Sequence, residues 1–358
     1  MSDGKLKGDI FMKFTRPVID SHTHLYDWYG KDGRDFFTLF DELEENTGVK
    51  AMCLNSLTTP NYGGVDNNIM TAFYKLHNPS AYAKAGIVYP SFPAVAPFPC
   101  GMDSLTQYKE LMEIGFDGFK ILFKPDTQKL LGLPMNDPYY YDFFSEAEKN
   151  GTHITWHVAD PDFFWNVERD SSWCYTDGTY LSFREMFEQV FDILDRYPKL
   201  NATFAHFLFL SEHTDVLEYI FDKYPNVCID VTPGTEMYVN FDKNPDFYRD
   251  FLEKHADRII FGTDAELPDN PGSEQLVKSV YTFLTSDETV NIWGFDVKGL
   301  KLSDEACEKL LYTNFLQKCG EKPREINKAA LKKYAQKYEH LIKKELHREK
   351  ISEFIEKL

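Results

Sequence analysis

Short apolar runs recur along the chain at Val18–Leu25, Lys50–Leu57, Ala83–Pro90, Gly118–Phe123, His153–Val158, Ala202–Phe207, Val227–Thr232 and Ile259–Leu267. They are rich in Val, Ile, Phe and Thr, the composition of strands buried on both faces. Between them lie segments with apolar residues at helical spacing. Asp35–Thr47 stops at Gly48, Leu105–Ile114 at Gly115 and Tyr140–Asn150 at Gly151, each glycine suited to a left-handed cap. Asp137-Pro138 and Asn244-Pro245 read as an N-cap followed by proline at the first helical position. Ser182 and Glu185 have capping-box spacing and open a helix over Phe183–Arg196.

Strands that alternate with helices imply right-handed βαβ units on a parallel sheet. Eight such units predict an α/β fold, a (β/α)8 TIM barrel. A doubly wound open sheet is the alternative, but no GxGxxG follows the first strand. Two segments fall outside the alternation. Ala159–Leu181 is too long for an ordinary connection, and its Phe163, Phe164, Trp165, Trp173, Tyr175 and Tyr180 predict a pocket wall or lid. The tail Glu321–Leu358, with 11 Lys+Arg and 7 Glu, reads as one or two amphipathic helices packed on the barrel. The expected division is therefore a barrel over residues 1–320 and a C-terminal helical extension over 321–358.

Composition narrows the function. The 39 Lys+Arg against 57 Asp+Glu give a net charge of -18, which repels phosphate backbones and anionic lipid. No apolar run reaches the roughly 18 residues of a membrane span, and the polar N-terminus is not a signal peptide. Six scattered cysteines without CxxC predict reduced thiols and a cytoplasmic protein.

Candidate chemistry clusters where strands end. In Asp20-Ser21-His22-Thr23-His24, alternation puts Asp20, His22 and His24 on one face, and two imidazoles about 7 Å apart along a strand can converge on one cation. His157 ends the fifth run, whereas His153, about 13 Å lower, is expected to be structural. His206 ends the sixth run and Asp264 the eighth. A mixed His and Asp set at one barrel rim suits zinc or a neighbouring divalent ion and leaves a position for water. His77, His213, His255, His340 and His347 lie away from the rim and are expected at the surface. There is no GxSxG elbow and no glycine-rich phosphate loop.

The VIDSHTH start, His157, the AHF at His206, FGTDAEL at Asp264, YPNV at Tyr224–Val227, DRIIFGTD at Asp257–Asp264 and PREIN at Pro323–Asn327 resemble the amidohydrolase superfamily. The resemblance runs from about Val18 to Asn327 and is closest to the branch that includes amino-carboxymuconate-semialdehyde decarboxylase, resorcylate decarboxylases and lactonases. It implies that His22, His24 and His157 hold one divalent metal, most simply zinc, with Asp264 as ligand and proton acceptor. His206 would polarise a substrate carbonyl, act as a further base, or bind a second metal. Lys120 has three readings: a carboxylated bridge between two metals, a cation for an anionic substrate, or a buried ion-pair partner.

The expected activity is hydrolysis of a small carboxylate-bearing ester, lactone or amide by metal-activated water. Non-oxidative decarboxylation of an aromatic or dienoic acid is the rival, and a non-catalytic metabolite-binding barrel the third reading. Lys120, Trp165 and Glu236 are the expected substrate contacts, for a small planar monoanion. Arg169 and Arg184 are softer candidates for a carboxylate clamp. A small molecule is the expected partner, without nucleic acid or membrane, and homo-oligomerisation is left open.

Overall fold

A computed structural model describes residues 13–59, 63–88, 103–167, 173–234, 236–268 and 272–358. The strands are β1 (Ile19–Leu25), β2 (Ala51–Asn55), β3 (Tyr82–Gly86), β4 (Gly118–Phe123), β5 (His153–Val158), β6 (Ala202–Phe204), β7 (Val227–Asp230), β8 (Ile259–Ile260) and β9 (Ala265–Leu267). All pair in parallel, in the order β8-β7-β6-β5-β4-β3-β2-β1-β9. The two ends of that order belong to one segment of chain, the eighth predicted run, so the sheet closes on itself as a TIM barrel.

The closure differs from a plain eighth strand. Ile260 pairs with Asp230 of β7, whereas Ala265 pairs with Thr23 of β1. Between them the chain crosses at Gly262-Thr263-Asp264. Ser21 N donates to Phe261 O at 3.1 Å, and Asp264 N to His22 O at 2.8 Å. Asp20, fully buried, holds the crossing by accepting from Thr263 Oγ1 at 2.5 Å and Thr263 N at 3.2 Å. A Cβ on Gly262 would lie 2.6 Å from Thr232 Oγ1 and 2.9 Å from His22 Cβ, so only glycine lets the strands approach there.

Alternation decides what each strand offers. On β4, Phe119 faces out and meets Tyr108 of α3 (Ser104–Ile114) and Phe143 of α5 (Tyr141–Asn150), at ring distances of 5.3 and 4.9 Å. Lys120 therefore faces in. On β5, Trp156 packs outward on Phe144 at 5.3 Å, which turns His153, Thr155 and His157 inward. On β1 simple alternation fails. Asp20 pairs with Met52 but Thr23 with Leu54, so β1 carries one extra residue, a β-bulge. Ile19 joins a floor cluster with Ala51, Cys53, Tyr82, Cys228 and Ile260, while His22 and His24 turn to the mouth. Asp20 thus does not share their task, contrary to the alternation reading.

The outer layer includes α1 (Phe36–Thr47), α2 (Val65–His77) and α6 (Phe183–Arg196), the last with its capping box formed by Ser182 and Glu185. Phe315 of α12 (Asn314–Cys319) covers the floor of the barrel. The helices α13 (Lys328–Tyr338) and α14 (Glu345–Glu356) lie against α2 and α3. Here His347 departs from its expected surface place. It is buried, with Nδ1 2.6 Å from Asp66 Oδ2 and Nε2 2.8 Å from Asp27 Oδ1, and Lys344 pairs with the same Asp27. Among the described residues no helix is long and apolar enough to cross a membrane, and Cys53, Cys228, Cys307 and Cys319 are free thiols.

Candidate active site

Three groups converge at the mouth of the barrel. His22 Nε2 and His24 Nε2 are 3.1 Å apart, and Asp264 Oδ1 lies 3.5 Å from the first and 3.1 Å from the second. These are the spacings of neighbouring ligands on a tetrahedral ion, about 3.3 Å for bonds of about 2.0–2.1 Å. His24 Nδ1 must donate to the Asn55 carbonyl at 2.7 Å, which leaves Nε2 a bare acceptor. Lys120 Nζ, 2.7 Å from His22 Nε2, supplies one donor to this acceptor group. Burial and the Lys120 charge hold His22 neutral, with its pKa well below normal. Burial pushes the Asp264 carboxyl up, but the neighbouring His24 and His22 rings keep it well below the usual carboxylate range. Two imidazoles and one ionised carboxylate aimed at a common point fit a divalent cation, and Lys120 is the neighbouring positive charge.

His157 and His206 face the same cavity as a second pair, with Nδ1 of the first 3.0 Å from Nε2 of the second. His206 Nδ1 lies 3.0 Å from the Pro233 carbonyl and His157 Nε2 3.0 Å from that of Ala159. A neutral imidazole has one N–H, so once both carbonyls are served two lone pairs face each other. Burial lowers the pKa of both: well below normal for His157, helped by Lys120, and to about 4 for His206, helped by His157. His157 lies outside the close cluster of His22, His24 and Asp264.

The backbone around these groups is strained. Positive φ at a non-glycine residue costs roughly 1–2 kcal/mol. Ala159 (63°), His206 (57°), Phe207 (56°), Leu208 (56°), Phe209 (53°) and Asp264 (59°) all have it, which is six of the eight such residues described. His206 therefore does not end a strand, as its run predicted. It opens a left-handed turn, His206–Phe209, held by Asp230 Oδ1, which accepts from His206 N at 2.8 Å, and by burial of Phe207 against Phe241 and Phe251. The turn stacks the Phe209 ring on His206, with centroids 5.1 Å apart.

A cavity of about 430 Å³ opens above the cluster, walled by Phe164, Trp173, Phe209 and Trp293 with Lys120 and Lys124 in its lining. Burial lowers Lys120 to about 8, against the pull of Asp264 and Asp230. Lys124 stands 3.9 Å from Asp160, whose Oδ2 accepts from Tyr175 OH at 2.5 Å.

Two expected substrate contacts lie elsewhere. Trp165 turns away from the cavity: its Nε1 donates to Leu181 O at 2.7 Å and its ring packs on Tyr175 and Phe183. Glu236 lines a neighbouring cavity of about 380 Å³ on the far side of Phe209, where burial raises it to about 7. Arg184 pairs with Glu188 on the surface, and Arg169 lies outside the described residues.

Asp230, Lys124, Asp160 and Trp293 went unassigned in the sequence, whereas Phe164 and Trp173 line the cavity as the aromatic segment predicted. Asp230 was within reach, because it ends an apolar run on the inward face as His157 does. Trp293 had a weaker signal, an Ile-Trp-Gly-Phe hairpin between β10 (Thr289–Ile292) and β11 (Phe295–Lys298), with φ positive at Trp293 and Gly294.

Solved structures share the fold at low identity. A 2,6-dihydroxybenzoate decarboxylase from Rhizobium is 16% identical, with a TM-score of 0.51 over 85% of this chain and 98% of its own. A putative amidohydrolase from Staphylococcus aureus is 18% identical, with a TM-score of 0.50 over 85% and 100%. An uncharacterised TIM-barrel protein from Bordetella bronchiseptica is 15% identical, with a TM-score of 0.52 over 86% and 100%. No curated protein matches the chain. The amidohydrolase profile matches residues 19–314, from the first residue of β1 to the start of α12, and the chain belongs to the amidohydrolase family.

Proposed function

We propose that the chain is a metal-dependent hydrolase of a small carboxylate-bearing ester, lactone or amide. The observation that carries this reading is the convergence of His22 Nε2, His24 Nε2 and Asp264 Oδ1 at one end of a walled cavity. These three groups would hold the ion, zinc being the simplest choice for the set, with His157 as a further ligand once its ring leaves His206. When bound, the ion supplies Lewis acidity and makes water nucleophilic at neutral pH. Asp264, ionised and at the cavity edge, accepts a proton and passes it to the leaving group. His206, kept neutral, orients or polarises the substrate carbonyl. The Lys120 and Lys124 ammoniums receive the substrate carboxylate, and Phe164, Trp173 and Trp293 exclude water around it.

Decarboxylation of an aromatic or dienoic acid is the second reading. Two lysines in an aromatic cavity favour it, and it is the activity named for the Rhizobium protein. A substrate screen that follows acid release and carbon dioxide release together decides between them; carbon dioxide release without hydrolysis sinks the first reading. Residues 1–320 are proposed as the catalytic barrel and 321–358 as an extension docked on it, in a cytoplasmic protein.

A further inference from the structure

Asp230 lies below the cavity lining, at the end of β7, yet both of its oxygens are committed. Oδ2 is 2.9 Å from His22 Nδ1. Oδ1 accepts from His206 N at 2.8 Å and Thr232 N at 3.1 Å. One fully buried carboxylate thus grips a candidate ligand on β1 and the first residue of the left-handed turn after β6. We propose that Asp230 is a positioning residue that fixes the proton of His22 on Nδ1, so that Nε2 presents its lone pair to the ion, and that it anchors the turn presenting His206. The inference rests on the metal-site reading above.

The reason is one of donors and acceptors. Burial raises the Asp230 carboxyl, but His206, Lys120 and the hydrogen bonds it accepts from Thr232 and His206 favour the carboxylate; as a carboxylate it only accepts, so the ring nitrogen facing it must carry the hydrogen. Thr232 Oγ1, 3.1 Å from the same nitrogen, can donate or accept and imposes no choice. Lys120 faces Nε2 from the other side and favours the same tautomer, so its contribution has to be removed in the test.

Asp230→Asn makes the consequence sharp. The two backbone N–H groups of His206 and Thr232 both require an acceptor at Oδ1. The amide must therefore place its oxygen there and turn its NH2 toward His22 Nδ1. The imidazole proton is then driven to Nε2, where it points at His24 and Asp264 and blocks coordination. The side chain keeps its size and its bonds to the turn, so the fold is not the quantity under test.

The experiment uses full-length protein with 15N-labelled histidine, stripped of metal, in the Lys120→Met background. Long-range proton–nitrogen correlation identifies the His22 ring by its loss in His22→Gln. Nδ1–H in this protein and Nε2–H after adding Asp230→Asn are the expected results. In the otherwise native chain, competition with a chelator should show zinc affinity falling about ten- to hundredfold in Asp230→Asn, while Thr232→Val leaves it unchanged. An Nε2–H tautomer with Asp230 intact overturns the proposal. So does native zinc affinity in Asp230→Asn, or an equal loss in Thr232→Val. Should Asp230→Asn fail to fold, the tautomer with Asp230 intact still decides. A native chain that takes up no zinc or manganese removes the metal-site reading, and the tautomer, read on metal-free protein, judges Asp230 separately.

Discussion

The two ends of the barrel bury similar side chains to opposite effect. At the floor, His153 Nε2 is 2.8 Å from Thr203 Oγ1 and its Nδ1 3.0 Å from Cys319 Sγ, while the buried Lys84 ammonium donates to Thr155 Oγ1. Each ring nitrogen has a partner able to donate or accept, and the apolar floor cluster with Phe315 closes over the group. At the mouth, His22, His24, His157, His206 and Lys120 are as deeply buried, but acceptors face acceptors and the backbone is held in left-handed conformations. Burial lowers the pKa of His153 as it does those of His22 and His157. Depth and neutrality therefore do not distinguish a candidate-site histidine from a structural one. Mutual satisfaction does.

The largest effect should come from exchanging the two ends. His22→Ala or Asp264→Asn should lose the bound ion in elemental analysis and abolish turnover, whereas His153→Gln should keep the ion and lose roughly 1–3 kcal/mol of stability. Loss of the ion in His153→Gln with the fold intact would erase the distinction. Next is Lys120→Met, which removes a charged hydrogen-bond partner worth about 1.5–3 kcal/mol. KM for a carboxylate substrate should rise roughly ten- to hundredfold, and much less for the neutral ester or amide. If the ion goes instead, Lys120 belongs to the metal shell.

A smaller effect is expected from pH at His347. The paired carboxylates Asp27 and Asp66 raise its pKa above 6.5, against burial. Its contribution is thus complete below the unfolded pKa and lost as pH rises through the raised folded value. Native protein and His347→Gln should differ most in melting temperature below pH 6.5 and converge at alkaline pH; a gap that widens with pH contradicts the assignment. The least perturbing change should be Trp165→Ala, which leaves KM unaltered because the ring faces Leu181, while Trp173→Ala raises it.

What was legible in the sequence was what short-range periodicity encodes. Eight apolar runs, the HxH pair on β1 and His157 two residues after Thr155 follow from alternation within a strand. The β1 bulge was hidden, because it is defined only by pairing with β2. So were the left-handed turn at His206, which depends on Asp230 24 positions later, and the grip of Asp230 on His22 across 208 positions. His347 looked like a surface residue because both its carboxylates lie about 280 or more positions away. Trp165 was misplaced for a local reason: three aromatics in a row cannot all face one cavity.

The crossing at Gly262–Asp264 also has a consequence in time. The Asp20–Thr263 hydrogen bond joins residues 243 positions apart, so during synthesis β1 waits with an open edge until about two thirds of the chain has followed. An unpaired edge is a site for wrong pairings, and so distant a closure is slow for reasons of chain entropy. The same crossing delivers Asp264 to His22 and His24. A nascent or locally opened barrel therefore lacks the complete ion cluster, and an ion that favours the closed ring stabilises it by mass action. Metal supply would then govern how long the ring stays shut as well as what the finished enzyme can do.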